Sequence, residues 1–145
     1  MSYATGEALL LTRVQACTNF SSTNAVSAKW DVLNSGKSAF YAILRAGKST
    51  LAWTTLAQYI ITWRCVVEVW QHYEDDGTTA ASLYGHVGNL LGVLTYPHLG
   101  GGMDDSTIEE IGECEEMWTK GGGPAWLRQT ITVAWQEETN VTFNE

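Results

Sequence analysis

The side chains with chemistry near neutral pH are few in this chain, and they stand apart. His72, His86 and His98 are its three imidazoles. None neighbours a serine or cysteine in a nucleophile motif, and no GxSxG occurs. The twelve residues from His86 to His98 match no metal-ligand spacing. Cys17, Cys65 and Cys114 are odd in number and widely spaced, with no CxxC. Cys65 falls in an apolar row and reads as a buried thiol, which points to synthesis in a reducing cytosol. Asp75-Asp76 and Asp104-Asp105 have the composition of a divalent-cation site, but turn and cap roles explain both pairs more simply. Gly36-Lys37-Ser38 and Gly47-Lys48-Ser49 resemble the end of a phosphate-binding loop. The glycine such a loop needs five residues earlier is replaced by Asp31 and Ala42, so both read as turns. The sequence nominates no catalytic residue, no cofactor and no metal, and the chain reads as a non-enzyme.

The elements around these residues are more legible. Tyr59 to Tyr73 (YIITWRCVVEVWQHY) alternates with period two and reads as one long strand. Ile61, Trp63, Cys65, Val67 and Val69 take one face; Thr62, Arg64, Glu68 and His72 take the other, with Val66 and Trp70 among them. Trp126 to Glu138 repeats the pattern, with Leu127, Gln129, Ile131, Val133 and Trp135 on one face. Both exceed the usual strand of about 5–6 residues, so they are expected to run past the sheet or into a neighbour. Asp76 to Thr95 carries Ala80, Leu83, Val87, Leu90 and Leu94 at helical spacing. Gly85, Gly88 and Gly92 on that helix suggest the close approach of another element. Ser2 to Cys17 is a second helix, followed by the polar loop Thr18–Ala28. Trp30 to Gly36 reads as a loop or short strand, Phe40 to Ala46 as a strand, and Leu51 to Gln58 as its lead into the long strand. Asp104 to Trp118 fits a short helix or a strand; the glycine-rich turn at Lys120–Pro124 favours a hairpin onto the last strand. The expected fold is α+β, a small antiparallel or mixed sheet with helices packed on one face, in one domain spanning 1–145.

Charge narrows the partners. The 145 residues carry 16 acids against 8 Lys and Arg, a net charge of -8, and the basic residues are scattered. A sequence-independent DNA grip needs clustered cations, so duplex DNA is repelled by most of this surface. The chain has no run of 18 apolar residues and no basic segment before an early apolar patch, so neither a membrane span nor a secretory signal is expected. Seven tryptophans are many for this length, and a surplus of aromatics is what subunit interfaces use. Trp63, Trp70, Trp126 and Trp135, with the surface lysines Lys37 and Lys48, are the interface candidates. The acidic run Glu109, Glu110, Glu113, Glu115 and Glu116 reads as a solvated face or as the wall of a pore.

The order of these elements resembles the tail terminator proteins of long-tailed bacteriophages. The shared features are size, an N-terminal helix, a short strand, and a long strand of the form W-x-x-x-V-x-V, here Trp63 to Val69. A helix after an acidic turn, here Asp75 to Leu94, and a last strand closing on acids, here Trp126 to Glu138, complete the match. The resemblance implies a structural virion protein, assembled in the host cytoplasm, that forms a hexameric ring on the last ring of tail-tube subunits. It ends tube growth and joins the tail to the head connector or stopper protein. DNA passes through the lumen without specific binding. Six copies carry a formal charge of -48 (six times -8), which suits a lumen that lets duplex slide. Over-long strands adding edge to edge would close such a ring, and the loops Thr18–Ala28 and Gly100–Asp105 are expected to order on neighbours. The alternatives are another neck or tail component (a head-completion, stopper or tube protein), a contractile-system relative, or a small ligand-binding α+β domain.

Overall fold

The computed structural model describes residues 1–74, 76–94, 106–118 and 126–141. Its elements in chain order are α1 (Tyr3–Ala16), β1 (Ala25–Ser27), a 3-10 helix (Trp30–Asn34), β2 (Phe40–Ala46), β3 (Thr50–Thr55), β4 (Gln58–His72), α2 (Asp76–Leu94), β5 (Thr107–Ile111), β6 (Glu115–Met117) and β7 (Trp126–Asn140). The seven strands form one mixed sheet, β1-β2-β4-β7-β5, with β3 on the far half of β4 and β6 on the near end of β7. Only the β1–β2 pair is parallel. The fold is α+β, as the sequence pattern predicts.

Two 15-residue strands, β4 and β7, run antiparallel in register from Gln58↔Asn140 to His72↔Trp126 and form the spine. Their alternation sends Cys65, Val67, Val69, Leu127, Ile131, Val133 and Trp135 to one face, the helix face. Leu10 and Val14 of α1 and Leu83, Val87, Leu90 and Leu94 of α2 cover it. Ser2 caps α1 by accepting from the Thr5 amide at 3.3 Å. Gly6 lets α1 sit directly on the sheet: a Cβ there would lie 2.3 Å from the Trp135 ring. Tyr3 stacks on the same ring at 5.7 Å.

The opposite face is only partly polar. Tyr41, Ile43, Trp70 and Trp126 form a second, smaller core there, with Val26, Val32, Leu33 and Met117 against it. The 3-10 helix closes this cluster, and its Trp30 Nε1 donates to Glu68 Oε1 at 2.7 Å. Glu68, on the face opposite the helices as its place in the alternation requires, is 2% exposed. Arg45 Nε donates to it at 2.7 Å, and Arg128 Nη1 lies 3.5 Å away. Buried carboxylates need such partners.

Several expectations are corrected. Leu51–Gln58 is mostly a strand of its own, β3, which forms a hairpin with β4. The turn Leu56-Ala57 lacks the Gly, Asn or Asp that marks two-residue hairpins, and a register shift between Trp53 and Thr55 accommodates it. The Thr18–Ala28 loop contains β1 and is tied down internally: Asn24 Oδ1 accepts from the Ser21 amide at 2.8 Å, and its Nδ2 donates to the Asn19 carbonyl at 3.0 Å. Trp30–Gly36 is mainly 3-10 helix. Within Asp104–Trp118 the favoured reading holds instead: the described residues contain strands β5 and β6, both paired antiparallel with β7. Nothing lies within 4 Å of a Cβ built at Gly85, Gly88 or Gly92, so these glycines admit no close neighbour among the described residues. The Gly100–Asp105 loop, Asp75, His98 and the Lys120–Pro124 turn lie outside the described residues.

Candidate interaction surfaces

The titratable groups are placed for packing. His86 stacks on Phe40 at 3.9 Å and meets Phe20 edge-on at 5.7 Å, and burial lowers its pKa. His72 meets the Trp126 ring edge-on at 5.2 Å. Burial raises the Cys65 thiol to about 12 and pushes Cys17 and Cys114 up as well. None of the three is the low-pKa thiolate that nucleophilic chemistry uses. Among the described residues no three His, Cys, Asp or Glu side chains gather as a metal site. No described helix is long and apolar enough to cross a membrane.

The tryptophans divide in a way the sequence did not reveal. Trp135 is 1% exposed at the heart of the core, and Trp70 and Trp126 are buried in the second cluster. Trp63 is partly buried against the main core. Of the interface candidates, Trp135 is enclosed within this chain, while Trp70 and Trp126 keep only the small part of their rings that lines a hollow described below. The exposed tryptophans are Trp30, Trp53 and Trp118. Lys37 and Lys48 are exposed, as expected, one before and one after β2.

The acidic run lies along the β5–β6 edge of the sheet. Arg64 pairs with Glu109, and Arg128 Nη2 with Glu115 at 3.0 Å. Arg128 also lies over the Trp70 ring at 5.4 Å. Five carboxylates against two guanidiniums leave a local balance of -3 (-5 plus 2). Glu110, Glu113 and Glu116 stay exposed along this edge.

Two surfaces stand out. The first is the far end of the spine, where β3, β4 and β7 run on as a three-stranded arm beyond both helices. Leu51 pairs with Ile61 and Trp53 with Tyr59, all on the helix face. Among the described residues no helix packs on β3. Trp53 is 59% exposed and Leu56, at the turn, 92%. The Trp53 and Tyr59 rings meet at 5.0 Å, which stiffens the tip. Ser49 to Trp63 contains no Asp, Glu, Lys or Arg. The arm's two acids on β7 are occupied: Glu137 lies 3.7 Å from the Met1 amine, and Glu138 accepts from Gln58.

The second surface is a hollow at the opposite end of the sheet, on the back face. Trp30, Leu33, Asn34, Trp70, Met117, Trp118 and Trp126 line it, and its volume is about 180 Å³. Trp118 is 70% exposed at its rim. The sequence signal for the arm was present in Thr50–Thr55, which is rich in β-branched and aromatic residues, but no turn residue separated it from β4. The hollow joins residues more than ninety positions apart and had no local signal. Comparison with protein-family models and with curated proteins finds no match to this chain.

Proposed function

We propose that this chain is a structural subunit that assembles with copies of itself into a ring, and that the ring caps a bacteriophage tail tube as a tail terminator. The observation that carries the self-assembly reading is the arm. A sheet that outruns its own described helices, with Leu51 and Trp53 exposed on the face continuous with the core and Leu56 exposed at the turn, is suited to being covered by something else. A monomer that kept such a strand pair bare would risk aggregation. The choice of the terminator assembly rests on the element order described above. The placement of His72, His86 and Cys65 supports a binding role over a catalytic one, since each of these is engaged in packing.

The net charge of -8 per chain suits a ring around DNA that must slide. In that ring Glu110, Glu113 and Glu116 are the residues that would supply field to a lumen, because Glu109 and Glu115 are partly neutralised by arginines. The test is tube capping. Purified protein added to assembling tail-tube subunits of a cognate long-tailed phage gives shorter tubes with a ring at one end by electron microscopy. Tubes that lengthen unchanged, with bare ends, overturn the reading.

A further inference from the structure

We infer that copies of this chain associate head to tail by inserting the β3–β4 hairpin tip of one copy into the tryptophan-lined hollow of the next. The contact deepens the ring reading above and rests on it. It names which two surfaces meet.

The two features are complementary in shape. The tip presents Leu56, 92% exposed, flanked by the stiffened Trp53–Tyr59 pair. The hollow, at about 180 Å³, is close to the roughly 150 Å³ of an apolar cavity that accepts benzene, so it has room for one leucine side chain. Its walls are four indoles, a thioether and a leucine, with Asn34 the one polar side chain, and such largely apolar walls favour an aliphatic knob over a charged group. Rigid knobs lose little entropy on docking.

They are complementary in charge. Two chains at -8 each repel over most of their surfaces. The tip is the least charged part, with no Asp, Glu, Lys or Arg from Ser49 to Trp63 and Lys48 at its base, and the nearby carboxylate, Glu138 of β7, is held by Gln58. The hollow lies between acidic segments: Asp31 follows Trp30 in the 3-10 helix, and Glu115 and Glu116 precede Met117 in β6. A hairpin tip with no charge of its own and a lysine behind it approaches that rim with less repulsion than the rest of the surface meets.

The knob also cannot fill its own hollow. Gln58, next to the turn, and Trp70, in the hollow wall, are twelve residues apart on β4. At about 3.3 Å per residue this is about 40 Å of continuous paired strand. The occupant is therefore another chain, and two different surfaces meeting make a heterologous contact. Repeated, such a contact closes a ring or extends a filament.

The experiment uses two surface variants of the full chain, Leu56→Asp and Trp118→Asp. Both positions are largely exposed, so both variants are expected to keep the wild-type circular dichroism spectrum and melting temperature. Light scattering over a concentration series reads the assembly. The wild-type chain is expected to form oligomers without a template, and each variant alone to fall to monomer mass. An equimolar mixture is expected to form dimers and nothing larger, because it holds one intact knob facing one intact hollow. A wild-type chain that stays monomeric at every concentration overturns the contact, while the tube-capping reading stands or falls on its own test. So do oligomers that persist in both variants, and so does a mixture that stays monomeric, because one intact knob and one intact hollow would then not make the contact.

Discussion

β4 is one strand with two different environments. From Cys65 to Gln71 every residue is buried; from Gln58 to Arg64 every residue is only partly so. The backbone is continuous and β7 pairs with it throughout. What changes is the company. The buried half lies between β2 and β7, under the helices, with the 3-10 helix behind part of it. The open half has β3 in place of β2, and on its helix face Tyr3 and the N-terminus reach its inner end. The difference teaches that strand length here does two jobs. One half anchors the fold, and the other carries apolar surface outward.

Substitutions separate the two halves. The largest expected effect is in the anchoring body. Trp135→Ala removes a side chain 1% exposed beneath α1, and should cost about 3–5 kcal/mol in urea unfolding. A loss under 1 kcal/mol would mean that α1 is not held by this ring, and the contrast between the halves would blur. Gly6→Ala tests the same junction from the helix side. The new Cβ meets the Trp135 ring at 2.3 Å, so α1 must lift or the indole must turn, at about 1–3 kcal/mol. An unchanged midpoint would show that the junction is loose.

A smaller effect comes from His86, which α2 carries against the Phe20–Phe40 pair. Burial lowers its pKa in the folded chain, so the unfolded chain binds more protons as the pH falls. Stability that is full above the unfolded value of about 6.5 should therefore decline as the pH drops below it. His86→Phe should flatten that decline relative to wild type in urea titrations between pH 7 and pH 5. Parallel pH profiles for the two proteins would place the imidazole in water instead.

How much of this was legible depended on whether a signal was local. Both long strands, the helix at Asp76 and the short strand at Phe40 were written in periodicity, which neighbouring residues alone determine. The tryptophan roles were not. Trp70 and Trp118 have the same side chain, and only the 3-10 helix folding back over the sheet makes one buried and the other exposed. The burial of Glu68 had no local signal for the same reason. Alternation gives its face, but Trp30, thirty-eight residues earlier, closes over it. β3 was hidden because its turn, Leu56-Ala57, uses neither glycine nor asparagine. The exposed patch it creates could not be inferred from composition, since its residues are those of an ordinary core strand.

The claim that the arm serves association while the body serves folding can be tested in one paired measurement. The double variant Leu51→Thr, Leu56→Ser replaces two exposed apolar side chains of the arm and leaves the charge unchanged. Its urea midpoint and its light-scattering mass would be read on the same sample beside wild type. The expected result is a stability within about 0.5 kcal/mol per substitution of wild type, together with a clear fall in oligomer mass. A midpoint that drops as far as that of Trp135→Ala, or an oligomer mass that does not move, would contradict the division of labour drawn here.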